Sequence, residues 1–515
     1  MRRRISLAAD VTCSQPHNSA VRAKAFDQRS VIFVFLAGLI APISHRKKYE
    51  DRKMRIKKIE AQIFSAVFFL FSIDAFASSI VIRDVRVWDG RADHLSEATS
   101  VVINGNVISA IGEPNYPADA QIISGDGRTL MPGLISSHVH LTHALVDGGV
   151  AGLESMTWED IGARAAAVAR EYLMMGFTTV RDMGGMADGF KKAVDEGLLD
   201  GPRIYPAGAY ISQSGGHGDL RLRSQSNSLL PRASESNLER LNMTRIADGR
   251  AEMLSAVRDN FANGAVYIKI HAGGGVASEK DPLHTIQYTP EELKAANQAV
   301  GNWGTYWTVH AYTTETVNQA LDAGARCIDH AQLIDEETMK RIVREEVFLS
   351  TNLAALSDGL MAHPYFGNPK NPSHHKFKLF LEGSRKFVGL VNEYQPKWVF
   401  GDDFALSSRP FMRQHIDFEK WYAGHLFGNL FALRGMTSTA GELAALTGPL
   451  NPYPKKLGVI EVGAYADLLI VDGNPLRDLG AIGARQGWFD APHRDQNIES
   501  IRLIMKDGSI FKNTL

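Results

Sequence analysis

The sequence predicts an α/β protein built on a (β/α)8 barrel of the TIM type, with a small β-sandwich beside it. In the middle of the chain, short apolar strands alternate with helical segments, and eight candidate strands can be counted. Both ends instead carry short segments in which apolar and polar residues alternate, as antiparallel strands do. Because two β-rich ends flank a different middle, we expect them to assemble into one sandwich.

Length and charge limit the class of protein. The 515 residues can form more than one module, and 56 basic residues balance 57 acidic ones. A near-neutral balance does not favour nucleic acid or a strongly charged partner. The two cysteines, Cys13 and Cys327, exclude a disulfide framework and a cysteine-based zinc site.

The first part of the chain has the pattern of an export signal. Residues 1–53 are basic and without periodicity, and we interpret them as a non-native upstream extension. Residues 54–77 combine a basic start, the apolar run Ile63–Ile73 and an Ala-Phe-Ala end, which predicts a signal peptide cut after Ala77. We therefore expect a periplasmic or extracellular protein without stable membrane insertion. An N-terminal membrane anchor is the alternative.

The mature chain divides into three parts. Residues 78–130 are expected to form the first part of the sandwich, with Asn104-Gly105 as a hairpin turn. Residues 131–453 are expected to form the barrel, and residues 454–515 the second part of the sandwich. Oligomerisation is left open by the sequence.

The barrel prediction rests on apolar segments separated by helical or irregular ones. Its eight candidate strands are Met131–His140, Phe177–Met183, Arg203–Ser212, Ala265–Gly275, Tyr306–Tyr312, Cys327–Ala331, Val347–Asn352 and Trp398–Asp403. The long insertion Leu353–Gln395 is expected to be helical and to cover the barrel mouth. Barrels of this type place their chemistry at the C-terminal ends of the strands.

Two histidines end the first barrel strand. His138 and His140 lie two residues apart, so that a strand directs both side chains to the same face. Neutral imidazole is the commonest protein ligand for zinc-like metals. By itself the pair could equally be two unrelated polar residues of a strand.

Further polar residues fall at the ends of later strands. Lys269, His310, His330 and Asp403 each lie where a barrel strand is expected to end. Singly, such a histidine is usually a core residue and such a lysine a solvated charge. With the histidine pair, however, the set reaches six residues at five strand ends, which predicts a shared site.

These motifs resemble the amidohydrolase superfamily. PGLISSHVH resembles its PGLIDxHxH opening. TTVRD, GPRIYPAGAYISQSGGHGD, YIKIHAGGGVAS and ADLLIVDGNPL resemble the imidazolonepropionase-related branch, from about Ser79 to the C-terminus. That branch includes metal-dependent dipeptidases that cut Xaa-Pro or Xaa-Arg/Lys, and ochratoxinase-like amidohydrolases.

The resemblance implies two divalent metal ions, with zinc expected. It implies that one ion is bound by His138, His140 and Asp403, that the second is bound by His310 and His330, and that a carboxylated Lys269 bridges them. In such a site a metal-activated hydroxide attacks the amide carbonyl. Asp403 would act as general base and then as general acid.

Two positions depart from the family pattern. Ser136 stands where the family has an aspartate before the histidine pair. The last strand carries Asp402 and Asp403, where the family has Gly-Ser/Thr-Asp. We expect Asp403 to be the ligand, with Asp402 as the alternative.

Two residues are candidates for substrate contact. His217, in SQSGGHGD, is expected to meet a substrate carbonyl or carboxylate, and a turn-stabilising role is the alternative. Tyr288, before a helix start, is expected to donate to a carboxylate or a developing oxyanion, unless it only packs above the helix. His271 is a rival metal ligand, since it lies two residues after Lys269.

The sequence thus predicts an exported binuclear amidohydrolase that cleaves small-molecule amides, either dipeptides or N-acyl amino acids. Hydrolysis of cyclic amides or lactones is the alternative within the same class. A non-catalytic exported binding protein is the weaker alternative, because a decayed site would have lost ligands and all six are present.

Overall fold

The computed structural model describes residues 79–112, 116–146, 149–185, 188–231, 233–405, 408–487 and 497–515. The predicted upstream extension and signal peptide, residues 1–53 and 54–77, lie outside these described residues. Within the described ranges, no helix has both the length and the apolar character that crossing a membrane requires.

The described strands fall into a terminal group and a central group. In chain order they are β1 (Ile80–Val87), β2 (Ala98–Asn104), β3 (Val107–Ile111), β4 (Gln121–Pro132), β5 (Leu134–Val139), β6 (Phe177–Asp182), β7 (Arg203–Pro206), β8 (Tyr210–Ser212), β9 (Thr244–Ile246), β10 (Ile268–His271), β11 (Trp307–Thr313), β12 (Cys327–Leu333), β13 (Phe348–Thr351), β14 (Lys397–Phe400), β15 (Leu468–Val471), β16 (Ile501–Lys506) and β17 (Ser509–Asn513).

The described α-helices lie mainly between the central strands. They are α1 (Trp158–Met174), α2 (Asp188–Asp195), α3 (Asn237–Arg240), α4 (Arg250–Ala262), α5 (Pro290–Asn302), α6 (Thr314–Asp322), α7 (Glu336–Arg344), α8 (Pro364–Gly367), α9 (Pro372–Gly383), α10 (Phe387–Tyr394), α11 (Arg409–Phe427), α12 (Asn429–Gly435) and α13 (Ser438–Ala445).

The two ends of the chain share one sheet. Its strand order is β17-β16-β15-β4-β1-β2-β3, and the two ends meet where β15 pairs antiparallel with β4. Apolar side chains such as Val101, Leu468 and Leu503 form its core. The predicted association of the termini is therefore confirmed. Strand β4 continues to Pro132, two residues beyond the boundary predicted at residue 130.

The central strands form parallel sheets, as expected of an α/β protein. One sheet has the order β14-β13-β12-β11-β10-β8-β9, and a smaller one has the order β5-β6-β7. Strands and helices alternate along most of this region. The insertion between β13 and β14 is helical, as predicted, and includes α8, α9 and α10.

The prediction of one continuous strand over residues 203–212 was wrong. Residues 203–212 form β7 and β8, which belong to different sheets. Gly208 has φ +71°, a left-handed conformation that interrupts an extended strand. The Asn260 side chain takes the place of a strand partner here, because its Oδ1 accepts from Ala209 N at 3.2 Å and its Nδ2 donates to Ala209 O at 2.6 Å. Strand β9 was not predicted.

The last and first central strands come together at their C-terminal ends. The backbone N–H of Asp403 donates to the carbonyl of His138 at 2.9 Å. Gly401 lies at this contact, and a Cβ atom there would stand 2.5 Å from His138 Cβ and 3.0 Å from Ser350 Oγ. Glycine is thus required for the two strand ends to approach each other.

We expect Gly401→Ala to lower the free energy of unfolding by about 1–3 kcal/mol, because the added methyl group overpacks a buried contact. Gly389→Ala is the matched control, since Gly389 lies in α10 with nothing within 4 Å of an added Cβ. It should raise stability by about 0.5–1 kcal/mol. Urea denaturation measures both values, and equal stabilities of the two variants would contradict the packing assigned to Gly401.

Candidate metal centre

Three predicted ligands converge at the ends of β5 and β14. Asp403 Oδ1 lies 3.2 Å from His138 Nε2 and 3.3 Å from His140 Nε2. One ligand atom from each residue lies within 4.8 Å of the others. A zinc ion about 2 Å from each ligand atom separates those atoms by roughly 3–3.5 Å. These three residues therefore fit a divalent cation.

The electrostatics favour an ionised Asp403. Burial alone opposes ionisation, yet the charges and hydrogen bonds of His138 and His140 hold the pKa of Asp403 well below its usual range. Asp403 also has a φ of 50°, in the left-handed region. Such strain in a non-glycine residue is often found at functional sites.

Two more predicted ligands lie beside this group, on β11 and β12. The ring centroids of His310 and His330 are 4.5 Å apart, and those of His138 and His330 are 5.2 Å apart. Burial lowers the pKa of His330 to about 3 and that of His310 well below its usual range. Both imidazoles are therefore neutral at physiological pH, which is the form that binds metals.

Asn352 joins the two groups of ligands and was not identified from the sequence. Its Oδ1 lies 3.2 Å from His330 Nδ1, and its Nδ2 donates to Asp403 Oδ2 at 3.3 Å. A proton on His330 Nδ1 would leave Nε2 free to bind a cation. On the neighbouring strand, His310 Nε2 lies 3.3 Å from the Gly274 carbonyl, so that its Nδ1 is the nitrogen available for a cation.

Lys269 reaches the same cavity but contacts a carboxylate rather than an imidazole. Its buried amine donates to Asp329 Oδ2 at 2.6 Å. Arg181 Nη2 donates to Asp329 Oδ1 at 3.1 Å, and Thr308 Oγ1 donates to Oδ2 at 2.8 Å. Burial lowers the pKa of Lys269 against the opposing charge of Asp329. Asp329 thus pairs with two buried, positively charged side chains, those of Lys269 and Arg181.

Asp329 was missed in the sequence although it adjoins His330. Alternation along a strand predicts that neighbouring residues face opposite sides. Here His330 and Ala331 have φ values of 80° and 59°, and the pairing of β11 with β12 shifts register after Ala311. This irregularity allows Asp329 and His330 both to reach the site. Burial opposes its ionisation, but Lys269, His138 and Arg181 bring the pKa of Asp329 to about 2.

His217 lies at the cavity, as predicted. Its ring stacks on His310 with centroids 4.0 Å apart and planes 16° apart. Its Nδ1 lies 3.2 Å from Asp281 Oδ2 and 3.0 Å from Ser278 Oγ. A Cβ atom at Gly275 would come within 1.9 Å of the ring, so that only glycine admits the histidine there.

His271 also lines the cavity and remains a rival ligand. Its ring centroid lies 5.2 Å from that of His310 and 5.0 Å from that of His217, and the ring stacks on Tyr210 at 4.8 Å. The group of three ligands found around Asp403 does not include it.

Tyr288 is absent from the residues that line the cavity in the described part of the chain. Its backbone N–H donates to Gln213 Oε1 at 2.9 Å, in the loop that carries His217. Burial, together with the charges of Asp248, Glu292 and Glu252, raises the pKa of its hydroxyl well above the usual range. The hydroxyl is buried and has no hydrogen-bond partner among the described residues, and the predicted substrate contact stays a prediction.

The cavity encloses about 420 Å³, within the range of small-molecule sites. The predicted residues that line it are His138, His140, His217, Lys269, His310, His330 and Asp403. Six candidate ligands and one candidate substrate contact therefore share one concave site at the C-terminal ends of the parallel strands.

Residues 129–373 match the Amidohydrolase family. A solved amidohydrolase structure is 30% identical, with a TM-score of 0.74, and covers 85% of this chain and 100% of that one. The structure of a prolidase complexed with N-methylphosphonate-L-proline is 32% identical, with a TM-score of 0.73 and the same coverage. The chain belongs to the amidohydrolase family. Ochratoxinase of Aspergillus niger is 26% identical over 391 residues, which are 74% of this chain and 75% of the relative.

This membership makes the chain a hydrolase of amide bonds, in a family that is generally metal-dependent. Its substrate is accordingly a small molecule. The resemblance inferred from the PGLISSHVH opening and the later motifs is confirmed.

The two departures from the family pattern contact each other. Ser136 Oγ donates to Asp402 Oδ2 at 2.7 Å, and Tyr172 Oη donates to Asp402 Oδ1 at 2.6 Å. Relative to the pattern, the acid and the hydroxyl have exchanged positions, and in this chain the two side chains share a hydrogen bond. Burial raises the pKa of Asp402 to about 6. Asp402 thus takes a supporting position, and Asp403 alone of the two converges with His138 and His140.

We expect exchange of this pair to restore function that either single change removes. Ser136→Asp places two carboxylates together in a buried space, and Asp402→Ser removes the acceptor for Tyr172. The double variant should recover metal content and amidase activity, with a coupling free energy of about 1–3 kcal/mol. Metal analysis and kcat/KM of all four proteins measure this cycle. Strictly additive losses would disprove the exchange.

Proposed function

We propose that this amidohydrolase is an exported enzyme that binds two divalent ions, with zinc expected, and hydrolyses dipeptides or N-acyl amino acids. The convergence of His138, His140 and Asp403, beside the pair His310 and His330, carries the proposal. The prolidase among its structural relatives, seen with a phosphonate derivative of proline, supports a substrate of peptide type.

The proposal includes a closed (β/α)8 barrel around the site and a β-sandwich formed by the terminal sheet. Strands β7 and β8 would act as one bent strand, which gives eight positions with β9 as an additional edge. The hydrogen bond from Asp403 N to His138 O supports closure between β14 and β5.

The residues of this chain would divide the chemistry between them. Bound divalent ions would polarise the amide carbonyl and acidify the attacking water. Asp403 accepts the proton of that water and passes it to the leaving amine, while Asn352 holds its second oxygen. His217, fixed by Asp281 and Ser278, contacts the carbonyl or carboxylate of the substrate.

Carboxylation of Lys269 is part of the proposal. Its lowered pKa increases the fraction of free amine, which is the form that adds carbon dioxide. A carbamate would face the Asp329 carboxylate, now 2.6 Å from the amine. Two bound cations would offset that repulsion, so carboxylation and metal binding should occur together.

We expect chelation to abolish dipeptide hydrolysis by the purified mature protein and added zinc to restore it. Asp403→Asn should lower kcat/KM by roughly a thousandfold or more, because it removes a ligand and the proton acceptor together. Asp119→Asn, at an exposed position outside the cavity, is the control and should change nothing. A metal-loaded protein that cleaves no dipeptide or N-acyl amino acid in a broad panel would refute this function.

Export has its own test. Expression of the full chain should yield a mature protein whose first residue is Ser78, as determined by N-terminal sequencing after separation of cellular compartments. Retention of residues 54–77 in the cytoplasmic fraction would exclude cleavage at Ala77.

A further inference from the structure

The insertion between β13 and β14 gives the cavity an aromatic wall. Leu360, Phe366, Phe377 and Phe380 from this segment line the same cavity as the metal-site histidines. Phe377 and Phe380 are almost fully buried, while Phe366 keeps partial exposure. The insertion thus forms part of the cavity lining.

A series of ring contacts connects this wall to the candidate ligands. Tyr312 stacks on His330 with centroids 4.8 Å apart and planes 21° apart. Tyr312 also meets Phe380 edge to face at 5.5 Å, and Phe377 lies 5.2 Å from Phe366. Apolar surface therefore begins beside a metal-site imidazole and continues outward along the insertion.

The wall is anchored to the body of the protein. Lys376 Nζ donates to the carbonyl oxygens of Gly275, Ser278 and Asp281 at 2.6, 2.5 and 3.0 Å. Tyr365 Oη donates to the Ala277 carbonyl at 2.8 Å. These bonds hold the insertion on residues 275–281, which also contact His217. The shape of the aromatic wall is therefore set before substrate binds, which favours selectivity.

The cavity lining combines groups of different chemistry. The imidazoles, Lys269 and Asp403 share it with the aromatic wall and Val276, and with the charged residues Asp219, Arg221, Arg223, Glu279 and Lys280. Because Tyr312 joins His330 to Phe380, a substrate with its carbonyl among the imidazoles can extend an outer group along the aromatic wall. A polar group there would lose hydrogen bonds to water without replacement, whereas an apolar group gains from burial.

We propose that the insertion is the specificity element of this enzyme and selects amides that carry a large apolar or aromatic group on the side of the scissile bond that faces it. This inference rests on the proposed amidase function. Phe366, which is the least buried of the phenylalanines in the wall, sets the size of the group that is accepted.

The test compares two dipeptide series, Xaa-Ala and Ala-Xaa, with glycine, alanine, leucine, phenylalanine, serine and aspartate at the variable position. In one series kcat/KM should rise about tenfold to a hundredfold from alanine to phenylalanine and should fall for serine and aspartate. Phe366→Ala should remove most of this preference. Leu379→Ala is the matched control, since Leu379 lies on the exposed face of α9 at 48% exposure and outside the cavity.

A second pair of variants controls for a folding defect in Phe366→Ala. Lys376→Met removes the anchor of the wall, and Lys378→Met changes an exposed lysine on the same helix. With unfolding temperatures close to that of the parent, Lys376→Met should weaken the preference for phenylalanine and Lys378→Met should retain it.

The possible results distinguish the specificity role of the insertion from the proposed amidase function. Hydrolysis of dipeptides with equal kcat/KM for alanine and phenylalanine in both series would overturn the specificity role and leave the amidase proposal intact. A preference unchanged in Phe366→Ala and in Lys376→Met would also overturn it. Absence of any hydrolysis would instead overturn the proposed function.

Discussion

The hydrogen bond from Asp403 N to His138 O, at 2.9 Å, is the contact on which the site depends. It joins the end of the last parallel strand to the end of the first, so that residues some 265 positions apart in the chain become neighbours. Gly401 is required for this approach, since a side chain there would meet His138. With the backbones joined, the carboxylate of Asp403 faces His138 and His140. The left-handed φ of Asp403 is consistent with a conformation imposed by its surroundings.

A second constraint is the buried charge of Asp329. Arg181 and Lys269 both point to this carboxylate in the interior, where an unpaired charge would be costly. With the free amine, Lys269 and Asp329 form a close ion pair. With a carbamate at Lys269, two anions would lie near one Arg181 guanidinium, and bound cations would be needed to balance them. Under the proposed function, metal binding would therefore decide between the ion pair and the carbamate.

The sequence predicted the α/β class, the joined termini and the convergence of the histidines, because strand alternation and strand-end placement follow from backbone geometry. It could not predict features that depend on local irregularity. Asp329 was missed because left-handed residues at His330 and Ala331 break the alternation. The split of β7 and β8 depends on Gly208 and on a distant Asn260 side chain. The position of Tyr288 before a helix does not determine where its side chain lies, and in the structure Tyr288 does not line the cavity. The contact of Ser136 with Asp402 joins two departures that looked independent in the sequence.

Anomalous diffraction at the zinc edge tests most directly the proposed site, in which six side chains hold two cations. Crystals of the zinc-loaded protein should show two peaks, one among His138, His140 and Asp403 and the other between His310 and His330. Density for a carboxylated Lys269 should lie between the two peaks. A single peak, with an unmodified Lys269 still paired to Asp329, would contradict the binuclear site.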